Sequence, residues 1–114
     1  MRALNRTRQA ILVEEGTTAA SMWARMRGLL GHRPLKPGEG LLLRGEKAIH
    51  TIGMGFPIDV LFLDRSGRVV HLHHSMVPLR ASPIVFRADN VLEMPAGTLA
   101  RTGTCVGDEI ELTL

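Results

Sequence analysis

Side chains with acid, base or hydroxyl chemistry are concentrated around one apolar stretch in the middle of the chain. His50 and Thr51 precede Met54, which has a glycine on either side, and Asp59 lies within the apolar run 58–63. Glycines allow a backbone to approach a ligand closely. A carboxylate in apolar surroundings beside a histidine is an arrangement that can transfer protons. The stretch therefore predicts either a ligand site or a structural carboxylate.

The turn that follows this stretch predicts a histidine partner for Asp59. If Asp64 pairs with Arg68 across a tight turn, the register of the hairpin places Asp59 opposite His73. The two side chains could then form an acid–base pair. Alternatively, backbone amides at a neighbouring glycine- and proline-rich turn could satisfy the Asp59 carboxylate, which is the preferred interpretation.

Histidines at positions 71 and 73 share one face of the same predicted strand. Together with Asp59 or His50, His71 and His73 would resemble some metal sites built on β-strands. Their spacing is not diagnostic of a metal, and histidines that are exposed or satisfied by hydrogen bonds are the favoured interpretation. The sequence therefore predicts no metal and no cofactor.

Two further polar residues complete the candidate site. Glu93 lies in an apolar strand, and Arg80 lies in a proline-interrupted segment. Convergence of His50, Asp59 and Glu93 near Arg80 would give a polar-lined cleft in an apolar wall, which is the usual form of a small-ligand site. Each residue could instead hold a separate turn. The candidate ligand-binding residues are His50, Thr51, Met54, Asp59, His73, Arg80 and Glu93.

The elements that must position these residues are short strands between turn signals. Turn signals every 8–12 residues are typical of an all-β sandwich or barrel. A turn of helix is expected between Thr98 and Gly103. The predicted strands span residues 9–14, 41–43, 58–63, 68–73, 90–94 and 109–114.

One longer helix is predicted at about residues 18–30, where it would cover an end of the β structure. Trp23, Met26 and Leu30 recur at helical spacing and give it one apolar face. Its start is predicted from hydroxyl caps, and its end from a glycine. These bounding residues are Thr17, Thr18 or Ser21 at the start and Gly31 at the end.

Composition limits the class of protein. A chain of 114 residues is expected to form one domain, residues 1–114. The single cysteine, Cys105, favours a reducing compartment. Neither a signal peptide nor a membrane span is predicted, so a cytoplasmic location is expected. The net charge of +3 comes from scattered arginines with few aromatic residues, which argues against a nucleic-acid partner.

Seven short motifs follow one another along nearly the whole chain, at residues 25–31, 38–42, 50–54, 57–64, 67–70, 91–97 and 107–108. In this order they resemble those of an uncharacterised family, domain-of-unknown-function family number 192 (the UPF0127 group). The resemblance implies a compact, mostly β, jelly-roll-like fold, but no reaction and no catalytic residue. One departure is residues 52–56, where family members often carry an aromatic–methionine pair followed by Lys-Asn.

Three functions are compatible with these features. The leading hypothesis is a non-catalytic binding module for a small polar ligand or a protein partner. One alternative is a hydrolase or lyase that uses Asp59 with a histidine as an acid–base pair or as metal ligands. The other is a structural or interaction protein without a pocket. The sequence leaves open whether the protein is an enzyme, what it binds and its oligomeric state.

Overall fold

Eight strands and one short helix make up the part of the chain that the structure, a computed structural model, describes: residues 1–19, 35–52 and 54–114. The elements in chain order are β1 (Arg2–Asn5), β2 (Ala10–Val13), β3 (Glu15–Ala19), β4 (Glu39–Arg44), β5 (Ile58–Leu63), β6 (Val69–Met76), β7 (Asn90–Pro95), α1 (Thr98–Thr102) and β8 (Ile110–Thr113).

The strands form two sheets that pack as a sandwich. The small sheet has the order β2-β1-β8, and the large sheet has the order β3-β4-β7-β5-β6. Neighbouring strands are antiparallel except β3 and β4, which run parallel. The prediction of a mainly β sandwich of short strands is therefore confirmed.

Strand β5 is the centre of the core, because all six of its residues are buried. Full burial of a large aliphatic or aromatic side chain stabilises a fold by roughly 1.5–3 kcal/mol. The side chains of β5 alternate between the two faces of the large sheet. Leu61 and Leu63 point to the inner face, which packs against the small sheet, whereas Val60 and Phe62 point to the outer face.

The two faces have separate hydrophobic clusters. The inner cluster joins the sheets and includes Leu99 of α1. The outer cluster is covered in part by loop residues such as Ile49, Met54 and Phe56. Close contact between the sheets depends on Gly40, because a Cβ added there would lie 2.6 Å from Cγ2 of Val13.

Strand β3 corrects the predicted start of the longer helix. Thr17 and Thr18, which were expected to cap that helix, instead pair with Leu41 and Leu42 of β4. β-branched residues fit the pleated surface of a sheet, and the pairing with β4 outweighs their capping tendency. The remaining part of the predicted helix, residues 20–30, lies outside the described residues.

The β5–β6 hairpin corrects the predicted register. Leu63 pairs with Val69 as expected, but a β-bulge then places Phe62 opposite His71 and Val60 opposite His73. A bulge inserts one extra residue into a strand, so every later side chain changes face. The predicted Asp59–His73 pair is therefore wrong.

Candidate functional site

Asp59 is fully buried and accepts hydrogen bonds from three backbone amides. Its Oδ1 accepts from the N–H of Ser75 at 2.8 Å. Its Oδ2 accepts from the N–H groups of Gly97 at 3.1 Å and Leu99 at 2.8 Å. The last two amides lie at the start of α1, where backbone donors lack partners within the helix. Asp59 therefore ties the start of α1 and the end of β6 to β5.

The faces of β5 separate Asp59 from the histidine predicted beside it. Asp59 alternates with Val60, and Val60 shares the outer face with His73. Asp59 thus lies on the inner-face side of the strand, with its hydrogen bonds directed to β6 and α1. Backbone amides satisfy the carboxylate, as the preferred interpretation expects, but they belong to β6 and to the start of α1 and not to the neighbouring glycine- and proline-rich turn.

Thr51, also fully buried, forms a second and separate network. Its Oγ1 donates to the carbonyl of Val77 at 2.7 Å and accepts from the N–H of Arg80 at 2.9 Å. Its own N–H donates to the carbonyl of Arg80 at 2.8 Å. Both the backbone and the side chain of Thr51 therefore fix the turn between residues 77 and 80.

These contacts belong to a ribbon of two loops, residues 47–52 with 54–57 and residues 77–88, which we call the paired loops. The two loop segments run antiparallel, and His50 forms an isolated β-bridge with Ala81. Further contacts that hold them are Val85 N–H to Lys47 O (2.7 Å), Ser82 N–H to Ile49 O (2.9 Å) and Ile49 N–H to Ser82 Oγ (3.0 Å). The hydrogen bonds continue from Lys47 to Thr51, so the paired loops form one continuous structure.

The inward side of the paired loops belongs to the core. Ile49, Met54 and Phe56 pack into the outer cluster of the large sheet. Met54 is only 7% exposed, so this candidate ligand contact is a core side chain in the structure. The loops are thereby anchored to the sheet as well as to each other.

The outward side of the paired loops is apolar and exposed. Within the described residues, seven large hydrophobic side chains are exposed, and five of them lie on these loops. A concentration of exposed apolar side chains marks an interaction site in soluble proteins. We call this the paired-loop surface; its apolar members are Ile52, Val77, Leu79, Ile84 and Phe86.

Positive charge accompanies the apolar side chains. Lys47, Arg80 and Arg87 lie on the paired loops and are exposed, and neither residues 47–58 nor residues 77–88 contain an Asp or Glu. Nζ of Lys47 donates to the carbonyl of Phe86 at 3.0 Å. The surface thus combines apolar and cationic groups without a carboxylate in either segment.

Glu93 and His73 share the outer face of the large sheet but do not touch across it. Glu93 is fully buried in β7, between Leu41 of β4 and Val60 of β5, and His73 follows Val60 on β6. Val60 therefore separates the two side chains. The role of Glu93 and His73 in ligand binding stays a prediction.

The candidate residues are thus distributed over three places. The first is the paired loops, which bring together His50, Thr51, Met54 and Arg80. The outer face of the sheet carries Glu93 and His73, and Asp59 lies apart from all of them. In the part of the chain that the structure describes, no three His, Cys, Asp or Glu side chains are grouped as a metal site would require.

Sequence reasoning missed the paired-loop surface, although a signal for it was present. Residues 77–88 combine two prolines, several large apolar residues and two arginines with no acidic residue. Prolines argue against regular structure there. Without the periodicity of a strand or helix, the sequence does not indicate which apolar side chains are buried and which are exposed. Their exposure therefore emerges only from the contacts between the two loops.

A fold of two short-stranded sheets with a buried capping aspartate and exposed apolar loops defines a class of small β-sandwich domains. Within that class, the chain matches the model of the DUF192 family, described as an "uncharacterized ACR", over residues 3–112. The chain therefore belongs to this family. None of the curated proteins matches it.

Two solved structures are similar to this chain. A protein of unknown function from Novosphingobium aromaticivorans DSM 12444 superposes with a TM-score of 0.82 at 21% identity, covering 98% of this chain and 84% of that one. A "putative transcription regulator" from Sinorhizobium meliloti 1021 superposes with a TM-score of 0.76 at 27% identity, covering 96% and 89%. The first of these likenesses concerns the fold alone.

Among the described residues, the helical segments fall short of the length and apolar character that crossing a bilayer would require.

Proposed function

We propose that this protein is a non-catalytic binding module that docks a protein partner on the paired-loop surface. The observation that carries the proposal is the placement of five exposed, large hydrophobic side chains on two loops that hydrogen-bond to each other. Exposing these side chains to water is unfavourable, and covering them with a partner removes that penalty.

Charge identifies the chemistry of the partner. Arg80, Arg87 and Lys47 accompany the apolar side chains, with no carboxylate in either segment. Complementary potentials across an interface favour a partner that carries acidic residues next to apolar ones. Phe86 is the single exposed aromatic residue of the surface, which gives little platform for stacking bases. An acidic, amphipathic protein segment therefore fits the surface best.

The paired loops are suited to binding because they are ordered before a partner arrives. Thr51 fixes the turn at residues 77–80, and Lys47 holds the carbonyls of Phe86 and Ala88. A surface that is already ordered loses less conformational entropy on association. The fully buried hydroxyl of Thr51 thus supports binding indirectly, by positioning Leu79 and Arg80.

Asp59 gives no support to the alternative of a hydrolase or lyase. Three backbone amides already occupy its carboxylate, and His73 lies opposite Val60 rather than opposite Asp59. A general base must reach the proton that it removes. A cytoplasmic location remains part of the proposal, because an exposed lone cysteine, Cys105, suits a reducing compartment.

A matched pair of leucines tests the proposal. Leu79, on the paired loops, is 69% exposed, and Leu114, at the end of the chain, is 70% exposed. Leu79 has a positive φ of 64°, which asparagine tolerates better than leucine, so Leu79→Asn removes the apolar side chain without straining the turn. Leu114→Asn is the control.

The probe is a fluorescein-labelled, 16-residue amphipathic helical peptide made of Leu, Ala and Glu, with a Lys-for-Glu version as its counterpart. Fluorescence anisotropy should show binding of the acidic peptide, weakened about tenfold by Leu79→Asn and unchanged by Leu114→Asn. Equal binding of the Lys peptide, or equal weakening by Leu114→Asn, would contradict the proposal. The proposal would also be contradicted if the acidic peptide did not bind while duplex DNA or phosphatidylserine vesicles bound in a way that depends on Leu79.

A further inference from the structure

A cleft of about 500 Å³ opens on the side of the molecule where β2, the turn at residues 36–38 and α1 meet. Ile11 lies on its wall, and two of the lining residues are charged, Glu14 and Arg101. The cleft draws its lining from three separate segments of the chain and includes none of the residues of the paired-loop surface. It therefore calls for an explanation independent of the proposed function.

The wall of the cleft is an edge strand. Strand β2 lies at the end of the small sheet, with β1 as its one neighbour in that sheet. The outer edge of such a strand carries N–H and C=O groups that an added strand can pair with. Gly38 limits this edge at one end, because its carbonyl accepts from the N–H groups of Glu14 (2.8 Å) and Glu15 (3.0 Å). The stretch open to pairing therefore ends at Glu14.

The two charges lie at opposite ends of this stretch. Nη2 of Arg101 reaches the carbonyl of Ile11 at 3.5 Å, which is long for a hydrogen bond and easily given up. Glu14 follows three residues later. At about 3.3 Å per residue of extended chain, the backbone positions of Ile11, which Arg101 contacts, and Glu14 are separated by about 10 Å.

We propose that this cleft binds a short extended peptide with free termini, paired antiparallel with β2. The ligand's amino group would face Glu14, and its carboxylate would face Arg101, where a guanidinium can form two parallel hydrogen bonds. Since β2 runs from Ile11 towards Glu14, that orientation makes the ligand antiparallel. The separation of Ile11 and Glu14 matches about three residues of extended chain.

Tri-valine tests this proposal, since valine favours extended backbone. Isothermal titration calorimetry is done with tri-valine, its N-acetylated form, its C-terminal amide and free valine. Tri-valine should bind, and blocking either end should weaken it about tenfold, because each block removes one charge-assisted hydrogen bond.

Three variants test which side chain binds each end of the peptide. Arg101→Gln should bind tri-valine and its amide equally, and Glu14→Gln should bind tri-valine and its acetylated form equally. Arg65→Gln, which removes an exposed arginine from the β5–β6 turn, should behave as the wild type. Amide spectra of each variant check that the fold is unchanged.

Several results would overturn the proposal. Absence of tri-valine binding at millimolar concentration would do so, as would binding of the N-acetylated form and the C-terminal amide as tight as that of tri-valine. Free valine binding as tightly as tri-valine would show that the cleft takes a single zwitterion and that strand pairing plays no part. None of these results bears on the paired-loop surface, so the two proposals stand or fall separately.

Discussion

Asp59 and Thr51 are polar side chains with no exposed surface, and each is satisfied by backbone groups. Burying a polar group is costly unless hydrogen bonds replace those it made to water. Asp59 meets that condition with three amides from two different elements, β6 and α1. At the scale of single residues, the most conspicuous polar side chain of the sequence is therefore part of the architecture.

Asp59→Asn should lower the free energy of unfolding by about 2–4 kcal/mol. The substitution keeps the size of the side chain, but it removes the charge and turns an NH₂ group towards backbone donors. Urea denaturation of the variant measures the loss. Glu14→Gln, which neutralises an exposed carboxylate, is the control and should change stability by about 0.5 kcal/mol or less. Wild-type stability of Asp59→Asn would contradict the structural role.

The sequence favoured a structural role for Asp59, but it could not identify the amides that satisfy the carboxylate. Its partners at Gly97 and Leu99 lie 38 and 40 residues away along the chain. No local pattern indicates which amides a buried carboxylate will meet after folding. The same limit applied to Thr51, whose hydroxyl contacts residues 26 and 29 positions away.

At the scale of elements, the β5–β6 turn joins the two sheets. Gly67, at the turn, accepts from the N–H of Ile110 at 2.8 Å, and Arg68 forms a β-bridge with Glu109. The turn therefore holds the beginning of β8 as well as its own hairpin. Gly67 has a positive φ of 88°, and a Cβ there would lie 2.5 Å from the carbonyl oxygen of Ile110.

Gly67→Ala should destabilise the protein more than Gly45→Ala, by about 2 kcal/mol. Both glycines have positive φ, 88° and 76°, so both substitutions carry the conformational penalty of about 1–2 kcal/mol. A Cβ at Gly45 meets no atom within 4 Å, whereas one at Gly67 clashes with backbone. Urea denaturation of the two variants gives the difference. Equal losses would show that Ile110 gives way to the added Cβ without cost, which would contradict a close and rigid contact between the turn and β8.

Most elements followed from local patterns in the sequence. β5 lies where a continuous apolar run predicted it, and α1 lies where one turn of helix was expected. Two strands were missed. β1 carries few apolar residues, and β3 depends on its parallel partner β4 rather than on its own pattern. The bulge in β6 could not be predicted either, because one extra residue in a strand does not change the pattern of residue types along an apolar run.

At the scale of the whole molecule, the two ends of the chain close the small sheet together. β1 pairs with β8, and a cluster of side chains about 100 residues apart reinforces the contact. Nδ2 of Asn5 donates to Thr104 Oγ1 and to Asp108 Oδ2, each at 3.0 Å, and Nε of Arg8 donates to the same carboxylate oxygen at 3.0 Å. Burial alone would raise the pKa of Asp108, but these hydrogen bonds and the Arg8 charge outweigh it and lower that pKa.

Lowering the pH should therefore weaken the contacts that Asp108 makes with Asn5 and Arg8. A carboxyl whose pKa is lower in the folded state stabilises the fold above its ordinary value of 3.8, and this contribution is lost as the pH falls through the folded-state pKa. Asp108→Asn should lower stability at pH 7 and reduce the loss between pH 5 and pH 2 relative to wild type. Urea denaturation across this range measures both effects. An equal loss in the two proteins would assign the acid sensitivity elsewhere, such as to Asp64, whose pKa is also lowered, chiefly by the Ser66 hydroxyl.

The architecture of the whole molecule was predictable in kind but not in arrangement. Short apolar runs between turns predicted a sandwich or a barrel, because each sheet must bury one face. The order of the strands and the pairing of the two loops depend on contacts between distant residues. The exposed side of the paired loops also depends on these contacts, and the proposed function rests on that side.

The most direct test of the proposed function is to locate the amides that respond to the acidic amphipathic peptide by two-dimensional NMR of the wild-type protein. The shifts should be concentrated on the paired loops, around Ile52, Leu79 and Phe86, and the edge of β2 should be unaffected. Shifts centred on β2, on β8 or on no single surface would contradict it, because the peptide would then be binding somewhere other than the paired-loop surface.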